Sequence, residues 1–238
     1  MKQDKLKFLM LLVLVLSALS SSSQTFKSKG IAYTILDDGT VGVTEGGNYS
    51  GKVVIPSQVN YYGTIFPVSC IRFHAFEDCK GLTSVVISDS VEDIEGSAFQ
   101  GCTRLTSVTI GKSVEGIGGN AFEGCKRLRS IIIPNSVIGI GVGAFRDCTG
   151  LTSVTFGKSV KYIGDYAFEG CTGLTSITCK AETPPSFPPA MENSYELNNY
   201  GRAFYDVYKP TLYVPAESIE MYKNAIRWKD FVKIRAIK

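Results

Sequence analysis

The 238-residue chain is poor in the residues that usually carry chemistry. It has one histidine and one tryptophan. His74 stands directly before an Ala-Phe pair, and nothing in the sequence supplies the third group that would hold it as a catalytic base. It reads as a solvated or packing residue. The seven cysteines include no Cys-x-x-Cys pair, so a zinc site has no ligand spacing to rest on. No glycine-rich phosphate loop is present, and Gly118-Gly119 falls within a repeated turn. Charge is nearly balanced at +3, without the clustered basic excess that a nucleic-acid partner requires. These absences argue against an enzyme, a metal protein and a cofactor protein, and leave surface recognition.

Long apolar runs are also lacking, apart from Phe8 to Leu16. That run follows a basic start of Lys2, Lys5 and Lys7 and precedes small residues from Ser17 to Ser23. This is the order of a secretory signal peptide, and the run is too short to cross a bilayer. Residues 1–23 are therefore expected to be removed on export, with a new N-terminus between Ser21 and Gln24 and no membrane span left. Losing three lysines and Asp4 lowers the net charge to +1. The first cysteine is Cys70, so no cysteine stands where a lipid would be attached.

What the chain has in abundance is repetition. The stretch from Ala98 to Leu105 (Ala-Phe-Gln-Gly-Cys-Thr-Arg-Leu) has counterparts beginning at Ala75, Ala121, Ala144 and Ala167, each one 23-residue period from the next. The pattern gives columns of phenylalanine (Phe76, Phe99, Phe122, Phe145, Phe168), cysteine (Cys79, Cys102, Cys125, Cys148, Cys171) and leucine (Leu82, Leu105, Leu128, Leu151, Leu174). A fixed period in this range marks a solenoid, whose units bury their apolar faces only against neighbours. Stacked cysteines point in parallel, which disfavours a disulfide dihedral, so the column is expected to hold free, buried, apolar thiols. Cys179 takes the place of Ile110 and Ile133 and reads as core as well.

After each leucine comes a short strand, as in Leu82-Thr-Ser-Val-Val-Ile. Val85 and Ile87 point inward at period two, while Ser84 and Val86 point outward. A Ser-Val pair (Ser90, Ser113, Ser136, Ser159) and an inward isoleucine (Ile94, Ile117, Ile140, Ile163) follow, then glycine, then Ala-Phe. This predicts a parallel strand, a short extended segment on the opposite wall, and one helical turn that plugs phenylalanine into the coil. The outward strand positions form a weakly polar ribbon, expected to be continuous. If the protein binds a partner, Ser107, Thr109, Ser130, Ile132, Ser153 and Thr155 are the candidate contacts. Glu77, Gln100, Glu123, Arg146 and Glu169 share a column that tolerates both charge signs and reads as a solvated face.

The ends differ from the middle. Two short strands around Asp38-Gly39 predict a β-hairpin over the first solenoid edge. Nine extra residues in the first turn, including Tyr61, Tyr62, Phe66 and Pro67, predict a bulge or an added hairpin, read here as a local apolar cap. At Ala181 the period breaks into a proline-rich crossing, and Ala203-Phe204 resumes it thirteen residues late. A last rung at Thr211 to Val214, a helix from Ala216 to Trp228 with Ile219, Tyr222, Ala225 and Ile226 on one face, and a closing strand from Phe231 complete the chain. The expected divisions are an export segment (1–23), an N-terminal β cap (24–51), repeats (52–180), and an irregular loop with last rung and C-terminal cap (181–238).

The spacing Cys-x-x-Leu-x-x-Val-x-Ile, Val-x-x-Ile and Ala-Phe-x-x-Cys resembles the BspA-like class of leucine-rich repeat over about residues 52 to 179. The resemblance implies a curved right-handed solenoid, mainly β, on a secreted or cell-surface bacterial protein. It also implies adhesion to host proteins, the extracellular matrix among them, or to other bacteria, with no catalytic residues to carry over. A monomer is expected. The alternative is a glycan-binding or carbohydrate-processing accessory protein, with a site in the irregular loops around Tyr61, Tyr62 and Tyr195.

Overall fold

The computed structural model describes residues 24–187, 203–208 and 210–238. The chain opens with strands β1 (Thr25–Ser28), β2 (Ile31–Ile35) and β3 (Val41–Val43), paired antiparallel β1 to β2 and β2 to β3. The β2–β3 turn is held by Asp38, whose carboxylate accepts from the Thr40 backbone and hydroxyl at 2.9 and 2.7 Å. Strand β4 (Ser50–Ile55) begins the first rung. The nine-residue excess becomes a hairpin, β5 (Gln58–Tyr61) and β6 (Thr64–Ile71), closed by left-handed Tyr62 and Gly63.

Four regular rungs follow. Each has a strand on the first wall and a two-residue strand on the second: β7 (Gly81–Ile87) and β8 (Asp93–Ile94), β9 (Ser107–Thr109) and β10 (Gly116–Ile117), β11 (Ser130–Ile132) and β12 (Gly139–Ile140), β13 (Ser153–Phe156) and β14 (Tyr162–Ile163). Strands β15 (Ser176–Cys179) and β16 (Thr211–Val214) extend the first wall. A short helix α1 (Ile219–Asn224) and a last strand β17 (Lys233–Ala236) close it. Pairing between rungs is parallel and in register at the 23-residue period, as in Ile117↔Ile140 and Val154↔Ile177. The hairpin at the start joins the second wall through β3, which pairs in parallel with β6.

The Ala-Phe segments form a third wall. The expected helical turn takes the form of linked tight turns, such as Cys102 N–H to the Phe99 carbonyl and Leu105 N–H to the Cys102 carbonyl. Left-handed residues on either side, at Ser97 and Gly101 or Asn120 and Gly124, keep it from winding further. Phenylalanine N–H groups reach across rungs: Phe99 to the Ala121 carbonyl, Phe122 to Ala144 and Phe145 to Ala167, each at 2.7 Å. The fully buried rings stack in parallel from Phe76 through Phe99, Phe122, Phe145 and Phe168, with centroids 4.9–5.2 Å apart. Phe204 continues the column at 5.3 Å, and Phe168 N–H donates to the Ala203 carbonyl, so the delayed Ala-Phe pair completes a rung.

The cysteine column does more than fill space. Each thiol donates to the phenylalanine carbonyl of the preceding rung: Cys102 to Phe76, Cys148 to Phe122 and Cys171 to Phe145 at 3.1 Å, and Cys125 to Phe99 at 3.4 Å. The first rung has no predecessor, and there Cys79 finds the Gly47 carbonyl at 3.6 Å while the Tyr49 ring covers Phe76 at 4.7 Å. The N-terminal cap thus imitates a rung. At the far end Trp228 and Phe231 close on Phe204, the latter edge-on at 5.4 Å.

The C-terminal helix is shorter than the apolar spacing predicts. Ala225 turns extended, Arg227 is left-handed, and Ile226 is 77 % exposed rather than core. The chain turns there because Trp228 is buried instead, with its indole N–H on the Pro185 carbonyl at 2.7 Å. Tyr222 is anchored by its hydroxyl on the Ala181 carbonyl at 2.8 Å.

Phe122→Ala removes a ring stacked on both sides and should lower unfolding free energy by about 3–5 kcal/mol. Gly141→Ala should cost about 1–3 kcal/mol, because the added carbon would sit 2.5 Å from the Gly119 nitrogen, which only backbone movement relieves. Urea unfolding measures both, and a loss below 1 kcal/mol for Phe122→Ala would contradict the stacking role.

Burial pushes the Cys70 thiol up to about 11 and Cys102 to about 12, against an ordinary 9.0. Above pH 9 the folded chain therefore holds protons that the unfolded chain releases. The contribution of these thiols to stability is expected to be constant below that pH and to be lost progressively toward pH 12. A urea midpoint unchanged between about pH 8 and about pH 11 would contradict this.

Candidate interaction surface

The first wall presents its outward side chains as two columns, and the register fixes which residues adjoin. Ser130, Ser153 and Ser176 stand side by side, as do Ile132, Thr155 and Thr178. Ser107 and Thr109 stand beside Ser84 and Val86. Inward partners Ile131, Val154 and Ile177 are buried, so the alternation that the strands were expected to show is present. Ser107, Thr109, Ser130 and Ile132 are exposed, whereas Ser153 and Thr155 are half-buried. Ile132, at 68 % exposure, is the most prominent apolar side chain on the ribbon.

The ribbon is not continuous. Its backbone divides into a sheet of β4, β7 and β9 and another of β11, β13, β15, β16 and β17, so the six candidate residues lie on both sides of a seam. The seam coincides with a difference one residue before each strand. Thr106, Thr152 and Thr175 each donate both N–H and hydroxyl to the carbonyl one rung back, at 2.8–3.2 Å. Arg129 occupies the same column and has no hydroxyl to offer, and neither bond forms to Thr106. Beside the seam Val108 is only partly buried.

The columns also run further than the repeat pattern indicates. Lys52 and Val54 extend them at the start, opposite Ser84 and Val86. Thr211 with Tyr213, and Lys233 with Arg235, extend them at the end. The alignment of Lys52-Val-Val-Ile-Pro with the later rungs was the available signal for the first pair. The last pair follows a break in the period, and nothing local marks it.

Other candidate features are accounted for by packing or solvent. Tyr61 stacks on Phe26 at 4.1 Å, and Phe66 packs against the core, so the first-turn hairpin is largely a cap. Tyr62, at its tip, is 85 % exposed. Tyr195 lies outside the described residues. His74 is exposed and meets Glu77 at 2.9 Å. The mixed-charge column is more ordered than a solvated face: Gln100 donates to Glu123 at 3.1 Å, and Arg146 pairs with Glu169 at 2.9 Å. Burial raises the Glu123 carboxyl above its usual range, against the opposing pull of Arg146. Among the described residues, no group of three or more His, Cys, Asp or Glu side chains is placed to hold a metal ion.

A family model of the BspA-type leucine-rich repeat region matches residues 69–186 in six copies. A leucine-rich repeat protein of T. pallidum is 32 % identical, with a TM-score of 0.59 over 65 % of this chain and 71 % of that one. The chain belongs to the BspA-type leucine-rich repeat family. Two further solved proteins share the fold with this BspA-type chain. The pneumococcal vaccine antigen PcpA is 19 % identical with a TM-score of 0.63, covering 84 % of this chain and 52 % of that one. A leucine-rich cell surface protein of Faecalibacterium prausnitzii is 24 % identical with a TM-score of 0.50, covering 91 % and 73 %. This chain spans about half of PcpA. No curated protein matches it. No helix among the described residues is long and apolar enough to cross a membrane.

Arg129→Thr should restore the missing pair of bonds and join the two sheets. The expected gain is about 0.5–1.5 kcal/mol in urea unfolding, and an unchanged or lowered stability would contradict a role for Arg129 in the seam.

Proposed function

We propose that this chain is a secreted or cell-surface protein that binds another protein through the first-wall ribbon, in the manner of an adhesin, without catalysis. The observation that carries the reading is the outward double column of hydroxyls and methyls, exposed on β11 and half-buried on β13 and β15, repeated in register across the three strands. Solenoids present such extended faces to partners. Family membership supports protein interaction in general terms. Export through residues 1–23 is part of the proposal and rests on the sequence order described above, since those residues lie outside the described ones.

The middle rungs carry hydroxyls and Ile132 but no formal charge in the two columns. Binding there would arise from many modest contacts and depend weakly on salt. The test is a binding screen of the chain against immobilised extracellular-matrix proteins, followed by Thr109→Lys, Ile132→Lys and Thr155→Lys together. The triple variant is expected to lose binding while keeping its thermal midpoint, because the three side chains are exposed or half-buried. Retention of full affinity would rule out the ribbon and move the contact to the hairpin at 58–71.

A further inference from the structure

Where the repeat period breaks, the solenoid opens a groove. In the regular rungs the turn leading off the first wall is tightly stacked: a carbon added at Gly157 would lie 2.3 Å from the Pro134 carbonyl oxygen. After β15 the chain instead crosses through Glu182, Thr183, Pro184 and Pro185. Ser186 then pairs with Tyr162, twenty-four residues back rather than twenty-three. The pairing is firm, with Ser186 N–H on the Lys161 carbonyl at 2.8 Å and Ile163 N–H on the Ser186 carbonyl at 3.0 Å. The extra residue accompanies a departure of the crossing from the rung. A cavity of about 580 Å³ lies between them. That size lies inside the range of roughly 300–1,000 Å³ typical of ligand sites.

The lining has a definite chemistry. Lys158 and Lys161 contribute two ammonium groups against the single carboxylate of Glu182, and neither lysine is in an ion pair among the described residues. Ser159 and Thr183 contribute hydroxyls that both donate and accept, and Ser186 contributes one that already donates to the Lys161 carbonyl at 3.3 Å and is left to accept. Tyr162, 48 % exposed, contributes the one aromatic ring. Two features weigh against an extended peptide. The strand edge at Tyr162 is already taken by Ser186, so no ladder is open for strand addition. Pro184 on the opposite wall has no backbone N–H to offer. A ligand here must be recognised by side chains: an apolar ring face, several hydroxyls and a negative charge.

We propose that this groove binds a short acidic saccharide, a sugar ring lying against Tyr162 and its carboxylate meeting Lys158 and Lys161. The site is separate from the ribbon, so the two readings stand or fall independently.

The experiment is calorimetric titration of the chain with a hyaluronan tetrasaccharide and, in parallel, a neutral chitin tetrasaccharide. The acidic sugar is expected to bind at least about tenfold more tightly, the scale of one well-placed charge interaction. Lys158→Gln with Lys161→Gln should erase that preference, and Tyr162→Ala should weaken both sugars. Thermal midpoints should hold in these variants, whose side chains are exposed. The triple lysine variant of the ribbon should bind the sugar normally. Absence of binding, equal binding of the neutral sugar, or indifference to both groove variants would overturn the proposal. So would a glutamate-rich peptide binding as tightly as the saccharide.

Discussion

In every rung the phenylalanine peptide group has to be satisfied inside the coil, where no water reaches it. Its N–H goes forward to the alanine carbonyl of the next rung, and from Phe76 to Phe145 its carbonyl receives both the Cys N–H of its own turn and the thiol of the next. An unsatisfied buried group of this kind costs about 1–3 kcal/mol, and the need recurs at each repeat. The stacked rings above add about 0.5–1.5 kcal/mol per contact beyond their burial. The third wall is therefore the constraint to which the other two conform. The 23-residue period is the length of chain that returns Ala-Phe to the same ladder.

The caps can be understood from the same requirement. A solenoid end leaves a thiol without a carbonyl and a ring without a neighbour. At the start Gly47 and Tyr49 supply these, and the buried Tyr49 hydroxyl in turn accepts from Ala32 N–H at 3.1 Å. At the finish Phe204 receives edge-on rings rather than another parallel one, which ends the column. The outer ribbon, by contrast, is under looser control. Its backbone pairing parts between β9 and β11, where Arg129 interrupts the threonine column, yet the phenylalanine ladder crosses that seam unbroken through Phe99 and Phe122.

The phenylalanine, leucine and isoleucine columns were legible because burial recurs at a fixed spacing, and periodicity reports burial directly. The donor role of the cysteines was not legible: a buried thiol looks like any small apolar residue until a carbonyl is placed beside it. Ile226 was misassigned to the core because helical spacing says nothing about where a helix stops, and burial of Trp228 decided that. The ribbon's six candidate positions could be read from alternation, but the seam is a matter of backbone hydrogen bonds between β9 and β11, which alternation does not report. The groove beside Tyr162 lies against a proline-rich crossing with one extra residue, for which the sequence offers only a broken period.

Native-state amide hydrogen exchange tests the primacy of the third wall most directly. The amides of Phe99, Phe122 and Phe145 should exchange only by global unfolding, with one common free energy that tracks urea stability. The ribbon amides of Thr152 and Thr175 should open at lower free energy. Faster exchange at the phenylalanine amides than at the ribbon would contradict the account, because the rungs would then be held by their outer strands.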